Sequence, residues 1–166
     1  MTVHHTAVPL GSNPDAPGRL RQHQRYHQSQ GWPDIAYHLG VDRRGNVYEL
    51  RTIRARGDTF TDYDPTGHLL ILAEGDFDQQ QPTDAQLEGV ATLLAWGASA
   101  HGLPIDTAGG HRDHASTSCP GDALYARLPD LRRRAVELAG PGVSTRSVCG
   151  DEGRAAVARI ESGADG

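Results

Sequence analysis

The sequence contains no lysine, because all 16 of its basic residues are arginines. Any mechanism that needs a catalytic lysine is therefore excluded. The arginines are scattered without a long basic run, and the formal net charge is −5. Proteins that bind nucleic acid carry basic patches, so this charge pattern argues against nucleic acid as the main partner.

Long hydrophobic runs are also absent. No stretch approaches the roughly 18 apolar residues of a membrane-spanning helix, so we expect no membrane span. The N-terminus lacks the basic and apolar regions of a signal peptide. The sequence thus leaves an extracellular, cell-wall or cytoplasmic location open. It begins with a predicted strand, as would be expected if the start were truncated.

Cysteine is scarce, with only Cys119 and Cys149 present. A disulfide between them is not expected, since Cys149 lies in a tail rich in Gly, Ser and Arg. A disulfide would also remove Cys119 as a metal ligand. A chain of 166 residues is long enough for one domain with a real core. We expect a monomer with one domain over residues 1–140 and a flexible tail over residues 141–166.

The hydrophobic pattern predicts an α/β fold with a mixed central β-sheet flanked by helices. Five strands are predicted, and the second and third form a hairpin: residues 1–9, 35–41, 47–51, 68–74 and 107–111. The fourth strand is almost continuously apolar, which indicates burial on both faces. Helical spacing predicts four helices: residues 20–30, 83–101, 120–128 and 129–139. Thr83 and Gln86 form a predicted capping box for the second of these helices.

His111 and Cys119 lie eight positions apart, just before a predicted helix. Zinc is held by histidine, cysteine or carboxylate, and a catalytic site keeps three protein ligands and one open position. Because proline favours the first position of a helix, Pro120 predicts Cys119 as the N-cap, where the metal-binding thiolate is favoured. The alternative is a small buried thiol beside a surface histidine.

A third ligand has to come from another element, and either His4 or His5 at the end of the first strand is well placed. Neighbours on a strand point to opposite faces, so only one of the two can face the metal. The remaining histidines fit less well. Three are expected on helix surfaces and two in strands without a partner: His23, His27 and His101, and His38 and His68.

Four separated motifs resemble those of the type 2 N-acetylmuramoyl-L-alanine amidases, a family that includes peptidoglycan recognition proteins and phage amidase lysins. The motifs occur in the family's order: VHHTA at residues 3–7, GWPDIAYH at 31–38, GNVYELR at 45–51, and GHRD through CPG at 110–121. The resemblance extends from about residue 3 to residue 139 and does not include the tail.

The resemblance implies a zinc hydrolase that cuts the amide bond between the lactyl group of N-acetylmuramic acid and L-alanine. Its cofactor would be Zn²⁺ and its partner a peptidoglycan or muropeptide substrate. The family's metal ligands correspond to His4, His111 and Cys119. Relatives with a single histidine at the first position favour His4 over His5.

The resemblance also assigns catalytic residues. The family's catalytic tyrosine corresponds to Tyr37, and the position two before the cysteine is Thr117; both are candidate donors to an oxyanion. Glu74 is a candidate general base, and the alternative for it is a surface or helix-cap role. One departure follows the hairpin, where many relatives have Gly-Ala-His or Gly-Ser-His and this chain has Gly57-Asp58-Thr59. A substrate-contacting histidine is therefore missing, which bears on the rate and substrate preference more than on the reaction.

Two other interpretations remain open. A non-catalytic recognition module would hold muropeptide without cutting it. A regulatory zinc protein would close its metal site with a fourth ligand, such as Asp113 or His114. His114 is alternatively a substrate contact from the loop or an exposed surface residue.

Overall fold

The computed structural model describes residues 1–164, and within them the strands form one five-stranded sheet in the order β3-β2-β4-β1-β5. The strands are β1 Thr2–His5, β2 Leu39–Val41, β3 Val47–Glu49, β4 Leu70–Ala73 and β5 Gly109–Gly110. Four of them are parallel to one another, and β3 pairs antiparallel with β2 at one edge. The predicted mixed sheet and its hairpin are confirmed.

The helices cover both faces of the sheet. They are α1 Ala16–Ser29, α2 Asp84–His101, α3 Asp122–Tyr125, α4 Leu128–Ala139 and α5 Gly150–Glu161. Short 3-10 turns precede α1 and follow β5, at Asn13–Asp15 and His111–Asp113. No helix within residues 1–164 has both the length and the apolar character needed to cross a bilayer.

The central strand β4 lies between β1 and β2 and is buried at all four residues. The parallel register aligns Val3 with Ile71, and both belong to the core that also contains residues of α2 and α4. Alternation along the strand therefore turns His4, which pairs with Leu72, toward the opposite face.

Helix α2 begins as its sequence predicts. The Thr83 hydroxyl accepts a hydrogen bond from the Gln86 backbone N–H at 3.1 Å. The Gln86 side chain does not complete the capping box, since its amide donates to the backbone oxygens of Val41 and Glu74 at 3.2 and 2.9 Å. These two hydrogen bonds instead connect α2 to the ends of β2 and β4.

The C-terminal segment contains helix α5, where the sequence predicted a flexible tail. Ile160 is buried, the Glu161 carboxylate pairs with Arg21 of α1, and the Ser147 hydroxyl donates to Glu49 at 3.1 Å. The segment thus folds back against α1 and β3. Its flexibility and the domain boundary at residue 140 stay predictions.

Candidate metal centre

Three buried side chains from three different elements meet at the carboxyl end of β1. His4 lies in β1, His111 follows β5, and Cys119 precedes α3. Their ligand atoms all lie within 4.8 Å of one another, and within residues 1–164 they are the only such group of three or more histidine, cysteine or acidic residues. The His4 Nδ1 atom is 3.7 Å from the Cys119 sulfur, and the two imidazole centroids are 4.6 Å apart.

Strand alternation separates the two neighbouring histidines. The His5 side chain turns away from the group and lies against Phe77, whose backbone N–H donates to His5 Nδ1 at 3.3 Å. Gly110 of β5 allows the loop carrying Cys119 to approach, because a Cβ atom at this position would lie only 2.7 Å from the Pro120 ring. The strand pattern and this close approach together bring His4, rather than His5, to His111 and Cys119.

The donor set fits zinc. Two imidazoles and one thiolate are typical zinc ligands. Bond lengths of about 2.0–2.1 Å to nitrogen and about 2.3 Å to sulfur place two tetrahedral ligands about 3.5 Å apart. The 3.7 Å between His4 Nδ1 and the Cys119 sulfur agrees with that separation. The three residues also line a cavity of about 560 Å³, so the group has one open side.

The two residues considered as a fourth ligand lie outside the group. The Asp113 carboxylate accepts hydrogen bonds from the Gly110 N–H and the Tyr125 hydroxyl, at 2.8 and 2.5 Å. His114 is exposed and stacks on the Tyr63 ring at a centroid distance of 5.5 Å. Neither contact supports a closed, regulatory zinc site.

Burial controls the protonation of the group. It lowers the pKa of His4 well below its usual value, with the charge of His111 adding to the effect, and it lowers the pKa of His111 to about 4. Both imidazoles are therefore neutral near pH 7 and keep a lone pair for a cation. Burial raises the pKa of the Cys119 thiol to about 12, so the thiolate forms only when a cation binds.

The prediction that Cys119 is a helix N-cap is wrong. Helix α3 begins at Asp122, and its N-cap is Gly121, whose φ of 86° is not helical. Cys119 therefore lies two residues before the cap, and burial sets its pKa. Its sulfur accepts a hydrogen bond from the His5 backbone N–H at 3.5 Å.

Tyr37 and Thr117 both line the cavity beside the three candidate ligands. The Tyr37 ring is 5.1 Å from the His4 ring, and burial raises the pKa of its hydroxyl above the usual value, so the group is an O–H donor at neutral pH. The Thr117 oxygen accepts a hydrogen bond from the Cys119 N–H at 3.2 Å, which leaves its hydroxyl hydrogen available. Their catalytic roles stay predictions.

Glu74 does not lie in the cavity wall. It is fully buried where β4 ends, and neither carboxylate oxygen has a hydrogen-bond partner among residues 1–164. Burial raises its pKa to about 7. The carboxyl group is therefore a buried acid outside the cavity, which weakens the case for a general base.

The prediction that His27 lies on a helix surface is wrong, because its side chain is buried and lines the cavity. Its Nδ1 accepts a hydrogen bond from the Ala36 N–H at 3.1 Å, so a neutral His27 carries its proton on Nε2. His23 lines the same wall one turn earlier on α1. The four-residue spacing of the two histidines could have revealed this shared face.

The histidines predicted in strands without partners do have partners. His38 Nδ1 accepts a hydrogen bond from the Leu70 N–H at 2.9 Å, and His68 Nδ1 is 2.7 Å from the Thr2 hydroxyl. Both residues therefore stabilise the sheet, and the prediction that they lack partners is wrong.

Asp58, which precedes the position where many relatives have a histidine, lines the cavity and pairs with Arg51 at 2.7 Å. The Arg51 side chain is only 3% exposed, and it also donates to the Asp34 and Arg56 backbone oxygens at 2.7 and 2.6 Å. The carboxylate is therefore held by a buried arginine. Thr59, which stands at the position of the missing histidine, also lines the cavity, and its hydroxyl oxygen is 3.4 Å from His111 Nε2.

The fold and this group define a class of protein: an α/β domain with a candidate His/His/Cys metal centre at the carboxyl edge of a mixed sheet. The chain belongs to the N-acetylmuramoyl-L-alanine amidase family, since the family model with that description matches residues 1–122. The match includes all three candidate ligands together with Tyr37 and Thr117.

Known proteins are similar to this chain in sequence, and solved structures are similar to it in fold. A human N-acetylmuramoyl-L-alanine amidase is 37% identical over 132 residues, which cover 76% of this chain and 23% of that protein. Mouse peptidoglycan recognition protein 1 is 34% identical over 129 residues, with 75% and 70% covered. The chain therefore spans less than a quarter of the human amidase but most of the mouse protein.

A solved structure of human PGRP-IBETAC in complex with glycosamyl muramyl pentapeptide superimposes on this chain with a TM-score of 0.67. The two are 28% identical, and the match covers 76% of this chain and 78% of that one. The predicted amidase and recognition-protein fold is confirmed.

Proposed function

We propose that this chain is a zinc-dependent N-acetylmuramoyl-L-alanine amidase, which hydrolyses the amide bond between the lactyl group of N-acetylmuramic acid and L-alanine in peptidoglycan. The convergence of His4, His111 and Cys119 at an open cavity carries the proposal. A recognition module that only holds muropeptide needs no such set of ligands. We assign the activity to residues 1–140.

His4 and His111 would hold the zinc ion as neutral imidazoles and Cys119 as a thiolate, with release of the thiol proton on binding. A bound zinc ion supplies Lewis-acid polarisation of the scissile carbonyl and lowers the pKa of a water molecule from about 15.7 to about 7. The open side of the group faces the cavity, so that substrate can reach it.

Tyr37 and Thr117 would stabilise the negative charge that develops on the carbonyl oxygen. The Tyr37 hydroxyl stays protonated at neutral pH, and the Thr117 hydroxyl hydrogen is not used by the backbone contact to Cys119. A donor of this kind is typically worth about 3–4 kcal/mol in the transition state.

The other cavity wall would orient the substrate. His27 presents an Nε2–H donor, and the Trp32 and Phe60 rings pack together at a centroid distance of 4.1 Å beside it. A wall of apolar rings with a few fixed donors suits a glycopeptide, which has both apolar faces and amide carbonyls. The human recognition protein PGRP-IBETAC was solved with a glycosamyl muramyl pentapeptide bound, and this likeness supports the same substrate class here.

Digestion of purified peptidoglycan tests the proposal. Zinc-loaded and chelator-treated protein are compared, and released stem peptides are followed by mass spectrometry. We expect chelator-sensitive release of peptides with a free amino group on L-alanine. Cys119→Ser should lose both bound zinc and activity, whereas the matched control Cys149→Ser should keep both because that thiol is exposed and lies outside the group.

Two results would contradict the proposal. Failure to release peptide with zinc bound and the fold intact would favour the recognition module. Retention of zinc and activity by Cys119→Ser would overturn the ligand assignment.

A further inference from the structure

One loop segment, residues 59–63, lies along the side of His111. The Thr61 hydroxyl oxygen is 2.7 Å from His111 Nε2, and the Thr59 oxygen is 3.4 Å from the same atom. The Tyr63 ring lies 5.2 Å from the His111 ring. Phe60, between the threonines, turns the other way and packs on Trp32. Alternate residues of this segment therefore face the imidazole.

The two threonine hydroxyls also contact each other. Their oxygens are 2.8 Å apart, and the Thr61 backbone N–H donates to the Thr59 oxygen at 3.1 Å. A hydroxyl has one hydrogen and two lone pairs. If the Thr61 hydroxyl hydrogen points to Thr59, the Thr61 oxygen can only accept a hydrogen bond from His111.

The direction of the hydrogen bond between Thr61 and His111 determines which ring nitrogen of His111 carries the proton. The imidazole form that binds a metal ion is neutral, and a neutral imidazole has one N–H and one lone pair. Donation from Nε2 to Thr61 leaves the lone pair on Nδ1. Since Nε2 is already occupied by the threonines, Nδ1 is the nitrogen available to a metal ion shared with His4 and Cys119.

We propose that Thr61, supported by Thr59, is a positioning residue that holds His111 as the Nε2–H tautomer and thereby makes Nδ1 the metal donor. The inference rests on the proposed function, since it concerns a ligand of the proposed zinc site. Outer partners of metal-bound histidines commonly fix the tautomer and ring orientation in this way. Here the partner is a hydroxyl pair, and neither threonine belongs to the candidate ligands His4, His111 and Cys119.

Imidazole ¹⁵N chemical shifts of histidine-labelled, metal-free protein test the tautomer directly. We expect His111 to carry its proton on Nε2 in the parent protein and to become a mixture of tautomers in Thr61→Val. Zinc affinity, measured by competition with a chelator, should fall about 10- to 100-fold in that variant. Thr61→Ser keeps the hydroxyl and should restore both properties.

Thr66→Val is a matched control. Thr66 lies in the same loop, but its hydroxyl bonds to the Asp64 carboxylate at 2.7 Å and not to His111. This variant should leave the His111 tautomer and the zinc affinity unchanged. If Thr61→Val does not fold, the tautomer of the parent protein decides the question.

The outcomes separate this inference from the proposed function. A proton on Nδ1 in the parent protein, or an unchanged tautomer and affinity in a folded Thr61→Val, would overturn the inference but leave the amidase proposal intact. Zinc-loaded protein with Nε2–H on His111 and no release of stem peptide would support the inference and contradict the amidase. Substitution by ¹¹³Cd adds a further check, since coupling of the metal to Nε2 would overturn the inference.

Discussion

The Glu74 carboxyl group should make the stability of this protein depend on pH. It is fully buried, and neither of its oxygens has a hydrogen-bond partner among residues 1–164. Burial raises its pKa from 4.5 to about 7; the positive charge of Arg19 opposes this rise, and the negative charge of Asp42 adds to it. An acid in such a place is more stable protonated than ionised.

The sign and size of the effect follow from linkage. Because the pKa is higher in the folded protein, folding favours the protonated form, and this contribution is fully present below pH 4.5. It is lost as the pH rises through about 7. At 1.36 kcal/mol per pKa unit, the buried carboxylate then lowers the free energy of unfolding by about 3 kcal/mol.

Glu74→Gln tests this reasoning, because glutamine has nearly the same shape and stays neutral. Urea unfolding of parent and variant is measured from about pH 5 to pH 8, with chelator present so that metal binding does not contribute. We expect little difference at low pH and a variant more stable by about 3 kcal/mol at pH 8. The difference between the two curves removes the opposite pH dependence of the buried histidines His4 and His111.

Glu49→Gln is the matched control, since Glu49 is an exposed carboxyl group on β3. The pH-dependent difference from the parent should be larger for Glu74→Gln than for Glu49→Gln, because only Glu74 is buried. Parallel parent and Glu74→Gln curves, or a variant that is less stable at pH 8, would refute the argument.

Substitutions at three further positions probe the site and the core. Tyr37→Phe should bind zinc normally but lower kcat about 100- to 1000-fold, the usual loss for one oxyanion donor; kinetics on a soluble muropeptide measure this, and an unchanged rate would exclude the role. Thr117→Val should lower kcat in the same assay, whereas Thr117→Ser should retain it. Leu94→Ala removes a fully buried core side chain and should cost about 2–5 kcal/mol in urea unfolding; a loss below about 1 kcal/mol would contradict close packing there.

Local patterns explain why most of the fold could be predicted. The apolar run at β4 marks a strand buried on both faces, and the Thr83 hydroxyl caps α2 through a contact only three residues away. The hairpin of β2 and β3 depends on a short turn. Each of these features is set by neighbouring residues, so sequence spacing is sufficient to find it.

The predictions that failed concern features that depend on contacts between residues far apart in the sequence. Pro120 predicted a helix from residue 120 with Cys119 as its N-cap, but α3 begins at Asp122, whose N–H donates to the distant Asp78 carboxylate at 2.9 Å. His27 lies on a polar helix, and the packing of α1 over the cavity buries its side chain. The Thr59 and Thr61 contacts to His111 span about fifty residues and left no recognisable spacing in a polar loop.

The sequence by itself determined the chemistry of the candidate centre. It provided histidine and cysteine as ligand types, ruled out lysine, and limited the first ligand to either His4 or His5 because strand neighbours face opposite sides. The tertiary structure decided which of the two meets His111 and Cys119, since that depends on the pairing of β1 with β4 and β5. It also decided the protonation of each ligand, because burial is a property of the folded chain and not of the residue's position in the sequence.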